Sequence, residues 1–225
     1  MSLTLYYHPL SSYCWKALIA LYENGTSFTP FQVDMDNPAA QAALKAAWPM
    51  ERFPVLRDDA RGVTLPETSA IIEYLAIHYP GPFVPIPADV DASIEARVMD
   101  RLFDNYVMTP MGTVVFNRIR PEGSYDAYGV DQAKAALTRV YAMLEARIAG
   151  RAWAAGDTFT LADCAAAPSL WYADKIVPFR GDYPVLGEYL ARLEAQPSFA
   201  RVLAEAAPYL AMFPGEESSL HPPSR

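Results

Sequence analysis

Residues 3–25 read LTLYYHPLSSYCWKALIALYENG, and this stretch decides the fold. Its first five residues are β-branched, aromatic or aliphatic and stop at His8-Pro9, the pattern of a buried strand ended by proline. Residues 12–24 then carry apolar side chains at helical spacing and finish at Asn24-Gly25, which predicts a helix with a glycine stop. The chain therefore opens with a strand followed directly by a helix.

The next segments extend this strand and helix into one small α/β unit. Phe28 to Val33 is a second strand candidate, and residues 38–47 are alanine-rich and helical. Two short strands follow, over 53–56 and 62–65, with Arg57-Asp58-Asp59 expected to form the turn between them. An amphipathic helix is predicted over 67–79. The order β-α-β-α-β-β-α predicts a parallel βαβ unit, a hairpin and a covering helix.

Proline marks the end of this unit. The chain has 20 prolines against 11 glycines, and residues 79–87, YPGPFVPIP, hold four prolines in nine residues. Such a run forms neither a helix nor a central strand, so it predicts an extended linker. We therefore expect a domain over 1–80, a linker over 81–89 and a second domain over 90–213.

The second domain is predicted to be all helical. Residues 91–119 show helical spacing with a kink expected at Pro110. Further helices are predicted over 130–149, 160–174, 184–195 and 197–207, separated by proline or glycine. The remaining residues, 214–225, are expected to form a mobile tail.

Charge and cysteine content exclude several functions. A net charge of −8 argues against a nucleic-acid partner, which requires a basic surface. The two cysteines form neither a disulfide framework nor a zinc motif, so no metal is expected. No secretory signal and no apolar run long enough for a membrane span is visible, and we expect a cytoplasmic protein without membrane contact.

Three polar segments surround the predicted small sheet. They are the Ser11-Ser12 turn, Phe53-Pro54-Val55 at a strand start, and Glu67-Thr68 at a helix start. Taken singly, helix capping and an ordinary trans proline explain each of them. Together, two helix N-termini and a strand with exposed amides suit a small molecule with two charged ends and a peptide-like middle.

These segments also carry a family resemblance. Residues 11–21 (SSYCWKALIAL), 49–56 (PMERFPVL), 67–75 (ETSAIIEYL) and 160–163 (TLAD) resemble motifs of the cytosolic glutathione transferase superfamily, in its bacterial, serine-type (theta/zeta-like) form. The resemblance implies an α/β thioredoxin-like N-terminal domain followed by an all-α C-terminal domain that forms the second-substrate wall. It also implies a homodimer.

The resemblance assigns the glutathione-binding residues. Pro54 would be a cis proline after Phe53, and the main chain of Val55 would pair with the cysteinyl part of glutathione. Glu67 and Thr68 would hold the γ-glutamyl end, with threonine where the family commonly has serine. Arg52 falls near the expected place of the glycine carboxylate, where a guanidinium forms a bidentate pair, although a plain surface charge is an equal reading.

The catalytic group is predicted to be a hydroxyl beside the sulfur. In the serine-type pattern that hydroxyl is Ser11, with Ser12 as the second choice. Tyr7 matches the position used by tyrosine-type relatives, but an aromatic side chain at a strand end is more often core. Cys14 is interpreted as a small buried side chain rather than a reactive thiol.

The helical half supplies the other assigned residues. Thr160 and Asp163 read as a capping box with a structural role, worth about 1 kcal/mol. Arg101 and Asp104 are one turn apart and suggest an ion pair on a solvated face, while in relatives an acidic residue here reaches the glutathione of a neighbouring subunit. The residues expected to line the second-substrate pocket are Tyr106, Met108, Met111, Phe116 and Trp171.

The predicted function is a glutathione transferase that activates the glutathione thiol to attack a small apolar electrophile, as in detoxification. Glutathione would serve as co-substrate or cofactor. Three alternatives stay open: a maleylacetoacetate-isomerase-like glutathione-dependent isomerase, a glutathione-dependent disulfide reductase, and a non-catalytic glutathione-binding module.

Overall fold

The computed structural model describes residues 2–214, and its first part is a four-stranded mixed sheet with three helices. The elements are β1 (Leu3–Tyr7), α1 (Ser12–Glu23), β2 (Thr29–Gln32), α2 (Pro38–Ala47), β3 (Val55–Asp58), β4 (Val63–Leu65) and α3 (Thr68–His78). The strand order is β2-β1-β3-β4. β2 runs parallel to β1, whereas β3 runs antiparallel to both β1 and β4. The expected βαβ unit and hairpin are confirmed.

The second part contains only helices as regular elements. They are α4 (Val90–Leu102), a π-helical segment (Phe103–Met108), α5 (Thr109–Arg118), α6 (Ala127–Ile148), α7 (Leu161–Ile176), α8 (Pro184–Ala195), α9 (Pro197–Ala206) and a 3₁₀ segment (Ala207–Met212). The α/β thioredoxin-like fold followed by an all-α part is therefore confirmed. Within residues 2–214, every helix is too short or too polar to cross a bilayer. Of the predicted tail, residues 215–225 lie outside the described residues.

Two local predictions are wrong. The turn between β3 and β4 lies at residues 59–62, because Asp58 ends β3 and is fully buried. Asp58 accepts hydrogen bonds from Tyr74 at 2.8 Å and from Tyr79 at 2.5 Å, and its Oδ1 accepts from the amides of Ala60 and Arg61 in the turn. The kink expected at Pro110 stays a prediction, and a π-helical segment that ends two residues before Pro110 interrupts the regular α-helix there. Helix α6 begins before residue 130 because Asp126 caps it through the amide of Gly129 at 2.7 Å.

Helix α1 lies at the centre of the molecule. All eight residues from Cys14 to Leu21 are buried, since the sheet, α3, α7 and α9 surround the helix. The ring of Trp15 lies 5.1 Å from that of Trp171 and 4.7 Å from that of Tyr172 on α7. Packing from both halves of the chain therefore fixes the start of α1.

Candidate functional site

The turn between β1 and α1 presents the Ser11 hydroxyl at a helix N-terminus. Ser11 is the N-cap residue, with extended backbone angles, and its Oγ accepts a hydrogen bond from the Cys14 amide at 3.3 Å. Its own amide donates to the carbonyl of His8 at 3.0 Å. Capping uses the hydroxyl as an acceptor, and the O–H proton is directed at the sulfur of Cys14, a weak acceptor that a ligand thiolate can replace. Capping and catalysis are therefore compatible at Ser11.

Side chains of buried aromatic residues donate hydrogen bonds to the backbone carbonyls of this turn. Trp15 donates its indole N–H to the carbonyl of Pro9 at 2.6 Å, and Tyr172 donates its hydroxyl to the carbonyl of Leu10 at 2.9 Å. The amide of Leu10 donates to Nδ1 of His8 at 3.2 Å. The backbone ahead of α1 is thus fixed by groups from both halves of the molecule, which preorganises the hydroxyl.

The other titratable groups of the turn are poor sources of reactive anions. Burial raises the pKa of the Cys14 thiol to about 12, although a hydrogen bond involving Ser11 acts in the opposite direction. Burial also raises the pKa of Tyr13 to about 12 and moves the pKa of Tyr7 upwards. Tyr7 lines a cavity of about 580 Å³ between α1, β2, α9 and the 3₁₀ segment. At neutral pH all three groups are protonated.

The loop before β3 contains the structural feature that the resemblance implied. The peptide bond between Phe53 and Pro54 is cis, and the Phe53 ring stacks on His8 with 5.6 Å between the centroids. This contact joins the loop to the β1–α1 turn. β4 pairs with Leu56 to Asp58 and extends no further, so among the described residues the β4 side of Val55 has no strand partner. An extended peptide has room to pair there.

The start of α3 is strained and lacks a side-chain cap. Glu67 occupies the N-cap position with φ 67°, a left-handed value that costs a non-glycine residue about 1–3 kcal/mol, and its side chain makes no capping hydrogen bond. Thr68 is buried and donates its hydroxyl to the carbonyl of Tyr13 at 3.4 Å. Free amides at a helix N-terminus are a ready site for a carboxylate.

The three polar segments are thus neighbours in space. The His8–Phe53 stack connects the β1–α1 turn with the cis-proline loop, and the Thr68–Tyr13 hydrogen bond connects that turn with α3. Together they offer two helix N-termini, one hydroxyl and an open strand edge. Arg52 is exposed on the cis-proline loop, and its contact with a carboxylate stays a prediction.

The pair formed by Arg101 and Asp104 is present, but it is not on a solvated face. Asp104 is buried, and its Oδ2 accepts from Arg101 at 2.6 Å and from Lys16 at 2.8 Å. Burial raises the pKa of Asp104, and the nearby Lys16 opposes that rise. The reach of Asp104 to the glutathione of a second subunit stays a prediction. Sequence reasoning missed Lys16, whose one signal is a charged residue amid the buried run of α1.

The five residues assigned to a second-substrate pocket differ in exposure, and their common pocket stays a prediction. Met108 and Met111 are core residues, and Tyr106 and Phe116 are largely exposed. Trp171 packs on Trp15, with the Lys175 ammonium 4.1 Å from its ring. Helical periodicity alone did not separate core, surface and pocket positions.

A contact that the sequence did not indicate lies beside the turn. The side chain of Thr109, the first residue of α5, lies close enough to Tyr13, in the first turn of α1, to oppose the rise in the Tyr13 pKa, while the Thr109 hydroxyl donates to the carbonyl of Asp104 at 3.1 Å. This contact joins the two halves of the chain next to Ser12. Within residues 2–214, no three His, Cys, Asp or Glu side chains come together in a way that would bind a metal ion.

Comparisons with known proteins agree with this geometry. The family models "Glutathione S-transferase, N-terminal domain" and "Glutathione S-transferase, C-terminal domain" match residues 5–83 and 107–197. A glutathione S-transferase from Methylobacillus flagellatus, solved with glutathione bound, has a TM-score of 0.81 at 25% identity, covering 89% of this chain and 98% of that one. A second, from Methylobacterium radiotolerans in complex with glutathione sulfonate, has a TM-score of 0.76 at 29% identity, covering 89% and 93%.

Relatives by sequence include proteins with other names. Glutathione S-transferase-like protein LUC7 of Fusarium is 32% identical over 71% of this chain and 72% of its own length. FtsZ-localized protein A of Caulobacter vibrioides is 29% identical over 92% and 93%. The fold and the arrangement of the three segments define a protein of the glutathione transferase class. With both family models matched, the chain belongs to the glutathione S-transferase family.

Proposed function

We propose that this protein is a glutathione transferase in which Ser11 activates the glutathione thiol for attack on a small apolar electrophile. The observation that carries the proposal is the Ser11 hydroxyl at the N-terminus of α1, next to the cis Phe53–Pro54 loop. The two related structures that contain glutathione or its sulfonate support the choice of ligand.

The chemistry follows from the acidity of a thiol. A free thiol has a pKa of about 8.5, so only a few per cent is thiolate at neutral pH. Donation from Ser11 and the positive end of α1 stabilise the thiolate, which is a better acceptor than the neutral Cys14 sulfur now beside the hydroxyl. A fall of about two pKa units, about 2.7 kcal/mol, would make the thiolate the main form.

The remaining segments bind the rest of the tripeptide. The γ-glutamyl carboxylate is placed on the free amides at Thr68, with Glu67 near the amino group. The cysteinyl main chain pairs with the open edge at Val55, and the glycine carboxylate lies toward Arg52. This arrangement uses each unpaired polar feature of the site once.

Replacement of Ser11 tests the proposal. Ser11→Ala should lower kcat about 100-fold with aryl halide electrophiles, a typical loss for one activating donor, and change the KM for glutathione much less. Ser12→Ala is the matched control and should retain kcat within about threefold. Thr160→Ala removes a helix cap far from the site together with the Thr160 hydrogen bond to Asp163, so it should cost about 1 kcal/mol of stability or more and leave kcat unchanged. Unchanged kcat in Ser11→Ala would end the assignment.

The proposal includes a homodimer. Val90, Ile94 and Val98 form an exposed apolar stripe along α4, with exposed fractions of 69%, 56% and 39%, and Ile77 on α3 is also exposed. Apolar side chains repeated at this spacing on one helix face favour burial against another copy. In such a dimer Asp104 stays a proposed contact to the partner's glutathione. Sedimentation of Ile94→Glu should show monomer where the wild type shows dimer.

A second candidate is a non-catalytic binding module. The names of two relatives, FtsZ-localized protein A and Elongation factor 1-gamma of Danio rerio, favour it, because neither name describes a transferase. Tight glutathione binding without turnover of any electrophile would select this candidate. The buried Cys14, with its raised pKa, counts against a disulfide reductase that would use this thiol.

A further inference from the structure

A charged cluster joins the two halves of the molecule behind the candidate site. Lys16 of α1 lies 2.5 Å from an oxygen of Asp100 and 2.8 Å from one of Asp104, and it donates to Ser69 of α3 at 2.9 Å. Arg101 donates to both aspartates at 2.6 Å and also to Ser69. We name these five residues the interdomain charge cluster. It connects α1, α3, α4 and the π-helical segment.

The hydroxyl of Ser69 is fully used inside this cluster. A serine hydroxyl has one proton to donate and two lone pairs to accept with. The proton goes to Asp100 at 2.9 Å, and the lone pairs receive hydrogen bonds from Lys16 and Arg101. Ser69 therefore has no capacity left for a ligand. Its place next to Thr68 gives it an indirect role.

The cluster is poorly explained by stability alone. Lys16 is fully buried, and its two aspartate partners are nearly so. Desolvation cancels much of the attraction in a buried ion pair, so an apolar replacement of the whole cluster would be about as stable. The Oδ1 atom of Asp104 also lacks a hydrogen-bond partner in residues 2–214. What the cluster supplies is a fixed geometry.

That geometry includes the start of α3. Ser69 follows Thr68, whose hydroxyl bonds to the carbonyl of Tyr13 on α1. The Lys16–Ser69 bond ties the same two helices together one residue further along. We infer that Lys16 and Ser69 are positioning residues of the glutathione site, which hold the strained start of α3 in register with the β1–α1 turn. This inference rests on the proposed function.

Ser69→Ala is the sharpest test, because it removes the link and leaves every charge in place. Calorimetry should give a dissociation constant for glutathione that is fivefold to tenfold higher than that of the wild type. The KM for glutathione should rise by the same factor, and kcat should stay within twofold of the wild type. Ser198→Ala is the matched control: Ser198 is a buried serine on α9 whose hydroxyl has no hydrogen-bond partner among the described residues. It should bind glutathione as the wild type does.

Lys16 provides a second, independent variant. Lys16→Met should weaken glutathione binding at least as much as Ser69→Ala and lower the melting temperature, because two buried carboxylates lose their main partner. The double variant Lys16→Met/Asp100→Asn removes one positive and one negative charge, so the net charge of the cluster is the same as in the wild type. We expect it to regain part of the melting temperature while its binding of glutathione stays weak. Recovery of binding together with stability would overturn a positioning role.

The outcomes separate the two proposals. If the wild-type protein fails to bind glutathione in the calorimeter, the proposed function fails first. If the wild type binds and Ser69→Ala binds equally well, with the same KM, this inference alone is overturned. A Ser69→Ala loss confined to kcat would overturn it as well, because a positioning role predicts a change in binding.

Discussion

Helices α3 and α7 begin in opposite ways. At α7 the capping box is complete: Thr160 accepts from the amide of Ala162, and Asp163 accepts from the amide of Thr160 at 2.8 Å. At α3 the N-cap position holds Glu67 with φ 67° and no side-chain cap. A helix start that is satisfied internally serves stability. One that is strained and unsatisfied is where a ligand replaces the missing partner.

The start of α1 lies between these extremes. Ser11 caps the helix as an acceptor, and its proton is directed at the Cys14 sulfur, a weak acceptor that a thiolate can replace. One hydroxyl thus contributes both to folding and to the proposed chemistry. The three helix starts differ in how much of their hydrogen-bonding capacity the protein itself uses.

The largest expected effect is a loss of unfolding free energy at the start of α7, where the protein itself satisfies the helix cap. Asp163 is fully buried and also accepts from the Ala154 amide at 2.8 Å and the Tyr189 hydroxyl at 2.6 Å. Asp163→Ala should therefore cost about 3 kcal/mol of unfolding free energy or more, beyond the 1 kcal/mol expected for a cap alone. Urea denaturation measures it. A loss below 1 kcal/mol would remove the contrast with α3.

A smaller effect, on glutathione binding, is expected at the strained start of α3. Glu67→Ala keeps the left-handed backbone and removes the carboxylate, so glutathione should bind about tenfold more weakly, about 1.4 kcal/mol. Glu67→Gly should weaken binding similarly and raise stability by about 1 kcal/mol, since glycine adopts this φ without strain. Paired calorimetry and thermal denaturation test both variants. Equal stability of the two would show that no strain is stored at this position.

The smallest expected effect concerns Cys14 at the start of α1. Its thiol is buried and has a pKa raised by burial to about 12, so the native protein should resist alkylation by iodoacetamide at pH 8. Both cysteines should react once urea unfolds the chain. Rapid modification of Cys14 in the native protein would restore a thiol mechanism as a candidate.

Much of this fold could be predicted from the sequence because local signals agree with it. The strand-proline-serine-helix run of residues 3–25 and the capping box of α7 each combine periodicity with end signals. Asp58 was misread as a turn residue because its partners Tyr74 and Tyr79 come from a later helix and its C-terminal end. Of the interdomain charge cluster only the local Arg101–Asp104 pair was predicted, and Lys16 and Ser69 were missed because they meet that pair only after folding.

The candidate site likewise contains residues that the sequence predicted and residues that it did not. The helix starts were predictable from their polar end signals, whereas the cis proline was predicted only through the family resemblance, because the residues alone favoured a trans bond. The second-substrate residues stay a prediction, since Met108 and Phe116 share one helical pattern while one is core and the other is exposed. Tyr13 and Thr109 meet across the two halves of the chain, and neither carries a sequence signal.

The most direct test of the central claim is a crystal structure with glutathione bound. The account predicts the sulfur within about 3.5 Å of the Ser11 Oγ and the γ-glutamyl carboxylate on the amide of Thr68. It also predicts that Glu67 keeps its left-handed backbone in the complex. Glutathione bound elsewhere, or its sulfur held by Tyr7 with Ser11 facing away, would contradict the account.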